Sequence, residues 1–470
     1  MRLALCLLAV LLSQSSFSEG DRVVSVAGAQ LEKGKILPRV QCAAHPDQTY
    51  ALYLPSNYAV DRNWPLILSS DPAARGSAPL ELQRAAAEKM GYVLAASNNS
   101  RNGPGQPRLE ATEATLNDLK ERVSIDDRRI YFAGFSGGAR FSSQLARLCN
   151  CGAGVLLNGA GFSNGQSLAT DNPFPVYSAI GIADFNYSEV LPLQDALDKA
   201  GYPRWLRVFD GAHEWAPGEV MVEALAWFRI EAMKANREPR DQIFLDVQFS
   251  EMRRRAEGFE QAGDLLAAWR EYRQVAATFE SLADVSPLRY KADALTKDKS
   301  VREALKRERN EFAEQAQLSG EITSRFDPSG EGSAERFQSS TEVRDLVARL
   351  RSKAQQGKRS DQFRVYQRSL GGVFIAAAEA GNSALDQKRY ESAIRLFDFA
   401  TEARPDSEWA WEQLAVANAL GGKKKDALRS LERARDTAAD KPGFARWLQS
   451  ESSFESLRSS PEFQALGRAD

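Results

Sequence analysis

The stretch RRIYFAGFSGGARFSSQLARL, residues 128–148, decides the fold. Ile130, Tyr131, Phe132 and Ala133 form a short apolar run of β-formers, while Ala139 to Leu148 carry helical periodicity. Between the two, Gly134, Ser136 and Gly138 match the pattern G-x-S-x-G. With a strand before it and a helix after it, the pattern predicts a nucleophile elbow. In such an elbow a strained strand-to-helix turn lifts a serine hydroxyl above the sheet. The competing reading is an ordinary Gly-rich turn, and the surrounding sequence decides between them.

Outward from the elbow, residues 48–236 alternate strand-like and helix-like segments. QTYALYLP, PLILSS, GYVLAAS, AGVLLNGAGF, FPVYSAIGI and PRWLRVFD read as strands. PLELQRAAAEKM, TEATLNDLKERV, SEVLPLQDALDKAG and GEVMVEALAWFRIEAMK read as helices. This alternation predicts an α/β domain over 19–236, a mostly parallel sheet with helices on both faces. In open sheets of this kind ligands gather at the carboxyl ends of the strands, where every motif below falls.

A serine hydroxyl is a poor nucleophile until a base takes its proton, and the usual base is a histidine oriented by a carboxylate. The chain has two histidines, His45 and His213. His45 precedes the first convincing strand, at the wrong end of the sheet. His213 follows the last strand and precedes the final helix of the α/β region, where a Ser…Asp…His order requires the base. For the acid, Asp184 ends the segment PVYSAIGIAD. Asp210 competes but lies only three residues from the histidine, so Asp184 is favoured. An oxyanion hole needs two N–H donors. Gly137, following the nucleophile, is expected to supply one. The DPAARG loop supplies the other, with Ala73 the first choice and Ala74 the second, because Pro72 has no N–H. Arg75 is expected to pair with Asp71. SNNSRNGPG is expected to line the rim with Asn98, Asn99 and Asn102, and Phe135, Phe162, Phe185 and Trp215 to offer apolar walls.

With YALYLPSNY, WPLIL, GFSGGA, GIADFNY and GAHEW in place, residues 40 to 235 resemble an α/β-hydrolase of the polyhydroxybutyrate-depolymerase and feruloyl-esterase group. The resemblance implies a serine hydrolase acting on carboxylic esters, with Ser136, Asp184 and His213 in the triad positions. One departure stands out. Relatives carry His-Gly ahead of the oxyanion loop where this chain has Asp71-Pro72, which places a carboxylate near the hole.

After residue 237 the strand signal disappears. Residues 237–319 read as helical and charged, 320–340 as a Gly/Ser-rich linker, and 341–470 as a second helical domain. Gly381, Ala393, Phe397 and Ala400 recur 34 residues on as Ala415, Ala427, Leu431 and Ala434. That period resembles a tetratricopeptide-type array, with Ala256, Gly263, Ala268 and Tyr272 as a degenerate earlier copy. Such arrays bind peptides or partner proteins, and a purely structural role is the alternative.

Bulk properties bound the rest. Of 470 residues, 61 are Lys or Arg and 63 are Asp or Glu, and a net charge of -2 gives no reason to propose nucleic acid or an anionic membrane as partner. MRLALCLLAVLLSQSSFSEG reads as a signal peptide over 1–18, so the mature protein is expected to be exported, periplasmic or secreted. Its apolar core is too short to span a bilayer. Of the remaining cysteines, a disulfide from Cys42 to Cys149 or Cys151 is open, while a two-Cys metal site lacks further ligands. No cofactor and no metal are expected. The reading that results is an exported hydrolase of small esters. A serine peptidase and a catalytically weak platform for a protein partner are the alternatives.

Overall fold

The structure is a computed structural model and describes residues 23–26, 29–149, 152–163, 168, 172–323, 341–356 and 361–467. The leader expected over 1–18, Cys151 and most of the expected linker lie outside the described residues.

Ten strands are described. β1 (Val23–Val26) and β2 (Ala29–Glu32) pair as an antiparallel hairpin. The remaining eight form one sheet: β3 (Ile36–Gln41), β4 (Thr49–Tyr53), β5 (Trp64–Ser70), β6 (Val93–Ser97), β7 (Ile125–Phe135), β8 (Gly152–Asn158), β9 (Val176–Gly181) and β10 (Arg204–Phe209). Their order is β10-β9-β8-β7-β5-β6-β4-β3. β4 runs antiparallel to β3 and β6, and all other neighbours are parallel. This is the α/β-hydrolase sheet.

Strand period explains the layering. Tyr131 and Leu156 join the core on one face, while Ile130, Phe132, Val155 and Leu157 join the core on the other. Because both faces are buried, the strands read as unbroken apolar runs rather than as alternating ones. α1 (Ser77–Met90) and α5 (Gly218–Lys234) cover the first face; α2 (Gly105–Arg122) and α3 (Gly137–Leu148) cover the second. α4 (Tyr187–Lys199) follows β9.

The helices over residues 242–297 do not form a separate core, whereas those from the end of residues 299–323 onward bury two clusters of their own, around Phe397 and around Leu431. Leu245, Met252 and Ala256 of α6 (Gln242–Gln261), Tyr272, Val275 and Phe279 of α7 (Leu265–Phe279), and Leu288 of α8 (Ser286–Lys297) extend the α1/α5 core. The cause lies in α5, which buries Val220, Met221, Ala224, Leu225, Trp227 and Phe228 and so needs cover on more than one side. α9 (Lys299–Thr323) then leads to α10 (Thr341–Gln356) and α11 (Asp361–Asp386).

α12 (Tyr390–Ala403), α13 (Glu408–Leu420) and α14 (Lys424–Thr437) follow as antiparallel neighbours, then α15 (Lys441–Ser450), a 3-10 turn (Ser452–Leu457) and α16 (Pro461–Leu466). α12 and α14 begin 34 residues apart, and the turn before each holds a left-handed residue, Lys388 (φ 57°) and Gly422 (φ 76°). Gly381 shows why a small residue recurs: a Cβ there would lie 2.7 Å from the Phe397 ring. No helix among the described residues is long and apolar enough to cross a membrane.

Two details differ from the sequence reading. β3 precedes His45, carrying Pro38 and a register shift between Leu37 and Val40, the irregularity tolerated at a sheet edge. Cys149 is disulfide-bonded, whereas Cys42 is a free, buried thiol, so the bridge does not involve Cys42.

Candidate active site

The site is built on the carboxyl end of β7. Ser136 follows the strand at φ 53°, ψ -121°, and α3 begins at the next residue. This conformation is costly for a residue with a side chain, on the order of 1–3 kcal/mol. Its two flanking glycines make it sterically feasible. A Cβ on Gly134 would lie 2.2 Å from the Gly138 carbonyl oxygen, and one on Gly138 would lie 2.1 Å from that of Ser70. Both neighbours are backbone and cannot swing away. The serine N–H donates to the Asn158 carbonyl at 2.9 Å, and Asn158 Nδ2 donates to the Gly134 carbonyl at 3.3 Å. The end of β8 thereby holds the elbow.

His213, on the loop after β10, lies with Nε2 2.9 Å from Ser136 Oγ. Its Nδ1 lies 3.0 and 2.9 Å from the two carboxylate oxygens of Asp184, on the loop after β9. Since Nδ1–H donates to the carboxylate, Nε2 is left to accept the serine proton. The two loops come together because Gly181 has no side chain: a Cβ there would lie 2.3 Å from the Ala212 carbonyl oxygen. Asp184 is fully buried. Burial raises its carboxyl above the ordinary range, while His213 and the Asn186 N–H at 2.8 Å pull it back. Asn186 Nδ2 also donates to the Gly159 carbonyl at 2.7 Å. Asp210 is exposed and takes no part.

The oxyanion loop corrects one expectation. Asp71 is buried and receives Arg75 Nε at 3.0 Å, Arg75 Nη2 at 2.9 Å and Trp215 Nε1 at 3.0 Å. Burial alone would raise this carboxyl, but the Arg75, Trp215 and Ala73 donors outweigh it and hold it below the usual range. Its charge is therefore compensated within the loop. The Ala73 N–H donates to Asp71 Oδ1 at 2.9 Å, so it is not the second oxyanion donor expected from the sequence. The Ala74 N–H is also taken, by the Asp71 carbonyl at 3.0 Å. Gly137 is the first residue of α3, where N–H groups lack an intrahelical acceptor. Against it lies the Asn102 side chain: a Cβ on Gly137 would meet Asn102 Oδ1 at 2.3 Å and Nδ2 at 2.4 Å.

The other rim asparagines serve the scaffold. Asn99 Oδ1 accepts the Thr49 N–H at 2.9 Å and its Nδ2 donates to the Asp47 carbonyl at 3.3 Å, which ties down the loop instead of facing the serine. Asn98 Nδ2 donates to Pro38 and Thr49. Phe135 and Phe185 pack on the His213 ring with centroids 4.6 and 4.3 Å away, and Trp215 packs on Phe135 at 5.7 Å. Phe162 stacks with Phe174 and meets Tyr202 edge-on in the core. Arg108 was not singled out in the sequence. It covers the Phe141 ring and donates Nη2 to the Gly137 carbonyl at 3.2 Å, and burial pushes its guanidinium down to about 10. Among the described residues no group of three or more His, Cys, Asp or Glu is arranged to hold a metal.

Neither a family model nor a curated protein matches the chain. Solved structures similar to it include an esterase of Pyrobaculum calidifontis (12% identity, TM-score 0.35), covering 43% of this chain and 86% of the other. An S-formylglutathione hydrolase of Staphylococcus aureus is similar at 13% identity and TM-score 0.35, covering 42% and 98%. A candidate dipeptidyl aminopeptidase IV of Bacteroides ovatus is similar at 15% identity and TM-score 0.35, covering 42% of this chain and 35% of its own length. The chain thus spans about a third of that last protein. Likenesses this distant say nothing of what this chain acts on.

Proposed function

We propose that the chain is an exported serine hydrolase that cleaves carboxylic esters through an acyl-enzyme. The observation that carries this reading is the hydrogen-bonded sequence Ser136–His213–Asp184, with the serine held at φ 53° on the elbow. In this reading His213 Nε2 takes the Ser136 proton as Oγ attacks the acyl carbon. Asp184 stabilises the imidazolium that forms, and the same imidazole returns the proton to the departing alkoxide. A water molecule, activated by His213 in turn, releases the acyl group. The Gly137 N–H and the Asn102 side-chain amide are the donors assigned to the oxyanion, because the Ala73 and Ala74 N–H groups are committed within their own loop. Phe135, Phe185 and Trp215 supply apolar contact beside the imidazole. The helices from α11 onward are assigned as tetratricopeptide-like on their repeat of 34.

The test is hydrolysis of a panel of p-nitrophenyl acyl esters by the leaderless protein and its Ser136→Ala variant. Activity is expected in the parent and a loss of about a million-fold in the variant, as for removal of a triad serine elsewhere. No hydrolysis by either, together with failure of a fluorophosphonate to label Ser136, would sink the proposal.

A further inference from the structure

The face of α11 turned toward the α/β domain carries a functional pattern of its own. Arg368, Gly372, Ile375 and Glu379 recur at spacings of four, three and four, which places them along one side of the helix. At one end of this stripe Arg368 is buried. Its Nε donates to the Ile182 carbonyl at 2.9 Å, and its guanidinium lies 3.9 Å from the centre of the Tyr187 ring. In the middle, a Cβ on either Gly371 or Gly372 would lie 3.6 Å from Phe185, the ring that packs on His213. Gln315 of α9 donates to the Phe185 carbonyl at 2.7 Å, so two helices hold this ring in place. α11 therefore packs on the outer side of Phe185, one ring away from His213.

Glu379 lies two turns beyond Gly372 on the same side. It is exposed, and its carboxylate has no hydrogen bond or ion pair among the described residues. Its charge is felt by His213 and Arg140. Burial around the carboxyl raises it above the ordinary range, and Arg140 and the His213 ring only partly offset the effect. Both already have closer partners. Arg140 makes two contacts with Glu189, at 2.6 and 2.7 Å, and donates to the Phe162 carbonyl at 3.0 Å. The imidazole has one nitrogen toward Asp184 and the other toward Ser136. Glu379 is thus a surplus negative charge on this side of α11, with the Arg140 guanidinium and both His213 nitrogens already committed to other partners.

We propose that Glu379 selects the substrate: it binds a cationic group, so that the preferred esters carry an ammonium or similar cation within reach of the Ser136–His213 pair. This inference rests on the hydrolase reading above. It gives the C-terminal helices a part in recognition, since the selecting residue comes from α11 and the reacting ones from the sheet.

Two matched ester pairs test it. One pair varies the alcohol, a choline ester against its uncharged 3,3-dimethylbutyl isostere. The other varies the acyl group, a 5-aminopentanoyl ester against the hexanoyl ester. For at least one pair the full-length protein is expected to favour the cation by about fivefold or more in kcat/KM, the scale of a partly solvated charge pair. Glu379→Gln should bring that ratio close to one, and Glu379→Lys should invert it. A ratio near one for both pairs in the parent, or a preference that survives Glu379→Gln, overturns the proposal while leaving the hydrolase intact. Turnover of no ester, with no fluorophosphonate labelling of Ser136, overturns the hydrolase reading and this inference with it.

Discussion

At Ser136 the backbone, rather than the side chain, holds the stored energy. The left-handed turn persists because Gly134 and Gly138 leave room for it and because Asn158 holds it from the next strand. Asp71 shows the converse, a buried charge that is harmless because five donors converge on it. That convergence takes up the Ala73 N–H, which is why Asn102 is proposed as the donor beside Gly137. Asn102→Ala should therefore lower kcat by about a hundredfold, the usual loss for one oxyanion donor, with a smaller effect on KM. Steady-state kinetics on a p-nitrophenyl ester would show it; an unchanged kcat would return the second donor to the backbone of the loop. The meeting of Ser136, His213 and Asp184 was legible in the sequence because there are only two histidines and only His213 follows the last strand. The expectation that His45 lies at the other end of the sheet fails, since β4 runs antiparallel to β6 and its first residues pair with the carboxyl end of that strand. The roles of Asp71, Asn99 and Asn102 were not legible. Neighbouring residues of a loop point in different directions, and composition does not record which one faces the serine.

Among the elements, α11 is the most informative. Two adjacent glycines in a 26-residue helix lower its intrinsic stability by about 1 kcal/mol each relative to alanine. They are understandable where the helix passes over Phe185, since a larger side chain would press on a ring that touches His213. Alanine fits at the 3.6 Å spacing, but a leucine would not. Gly372→Leu is thus expected to reduce ester kcat/KM by about tenfold, while Gly372→Ala stays close to the parent. Equal activities for the two variants would mean that the packing of α11 on Phe185 does not reach His213. Element reading from sequence succeeded for α5, whose apolar pattern spans its full length, and fell short for α2. That helix starts at Gly105, where Gly and Pro looked like loop, although proline is well placed in a first helical turn.

For the molecule as a whole, Arg368 is the link between its halves. It reaches from α11 to the Ile182 carbonyl, to the Tyr187 ring and, at 3.3 Å, to Glu311 of α9. Tyr187 in turn donates to Glu308 at 3.1 Å, and Phe312 packs on its ring. Removing the guanidinium leaves the Ile182 carbonyl and Glu311 without this donor, so Arg368→Ala should destabilise the protein by about 3 kcal/mol. Denaturant unfolding measures the loss, and hydrogen exchange should show faster opening of α9 and α11 than of the sheet. Uniform exchange across the chain would mean that the two halves do not dock through this residue.

The sequence by itself determined the strand and helix order, the strained turn at Ser136, the meeting of Ser136 with His213 and Asp184, and the period of 34 in the C-terminal helices. Each of these is written in local spacing, in strand and helix periodicity or in the scarcity of a residue type. Only the tertiary structure decided that α6, α7 and α8 extend the core of the sheet while the later helices bury cores of their own. The same is true of the capture of the Ala73 N–H by Asp71, and of the position of Gly371 and Gly372 against Phe185, the ring beside His213. Those contacts join residues more than a hundred positions apart, or depend on which way one loop side chain turns. Both follow from packing between elements rather than from the order of residues along them.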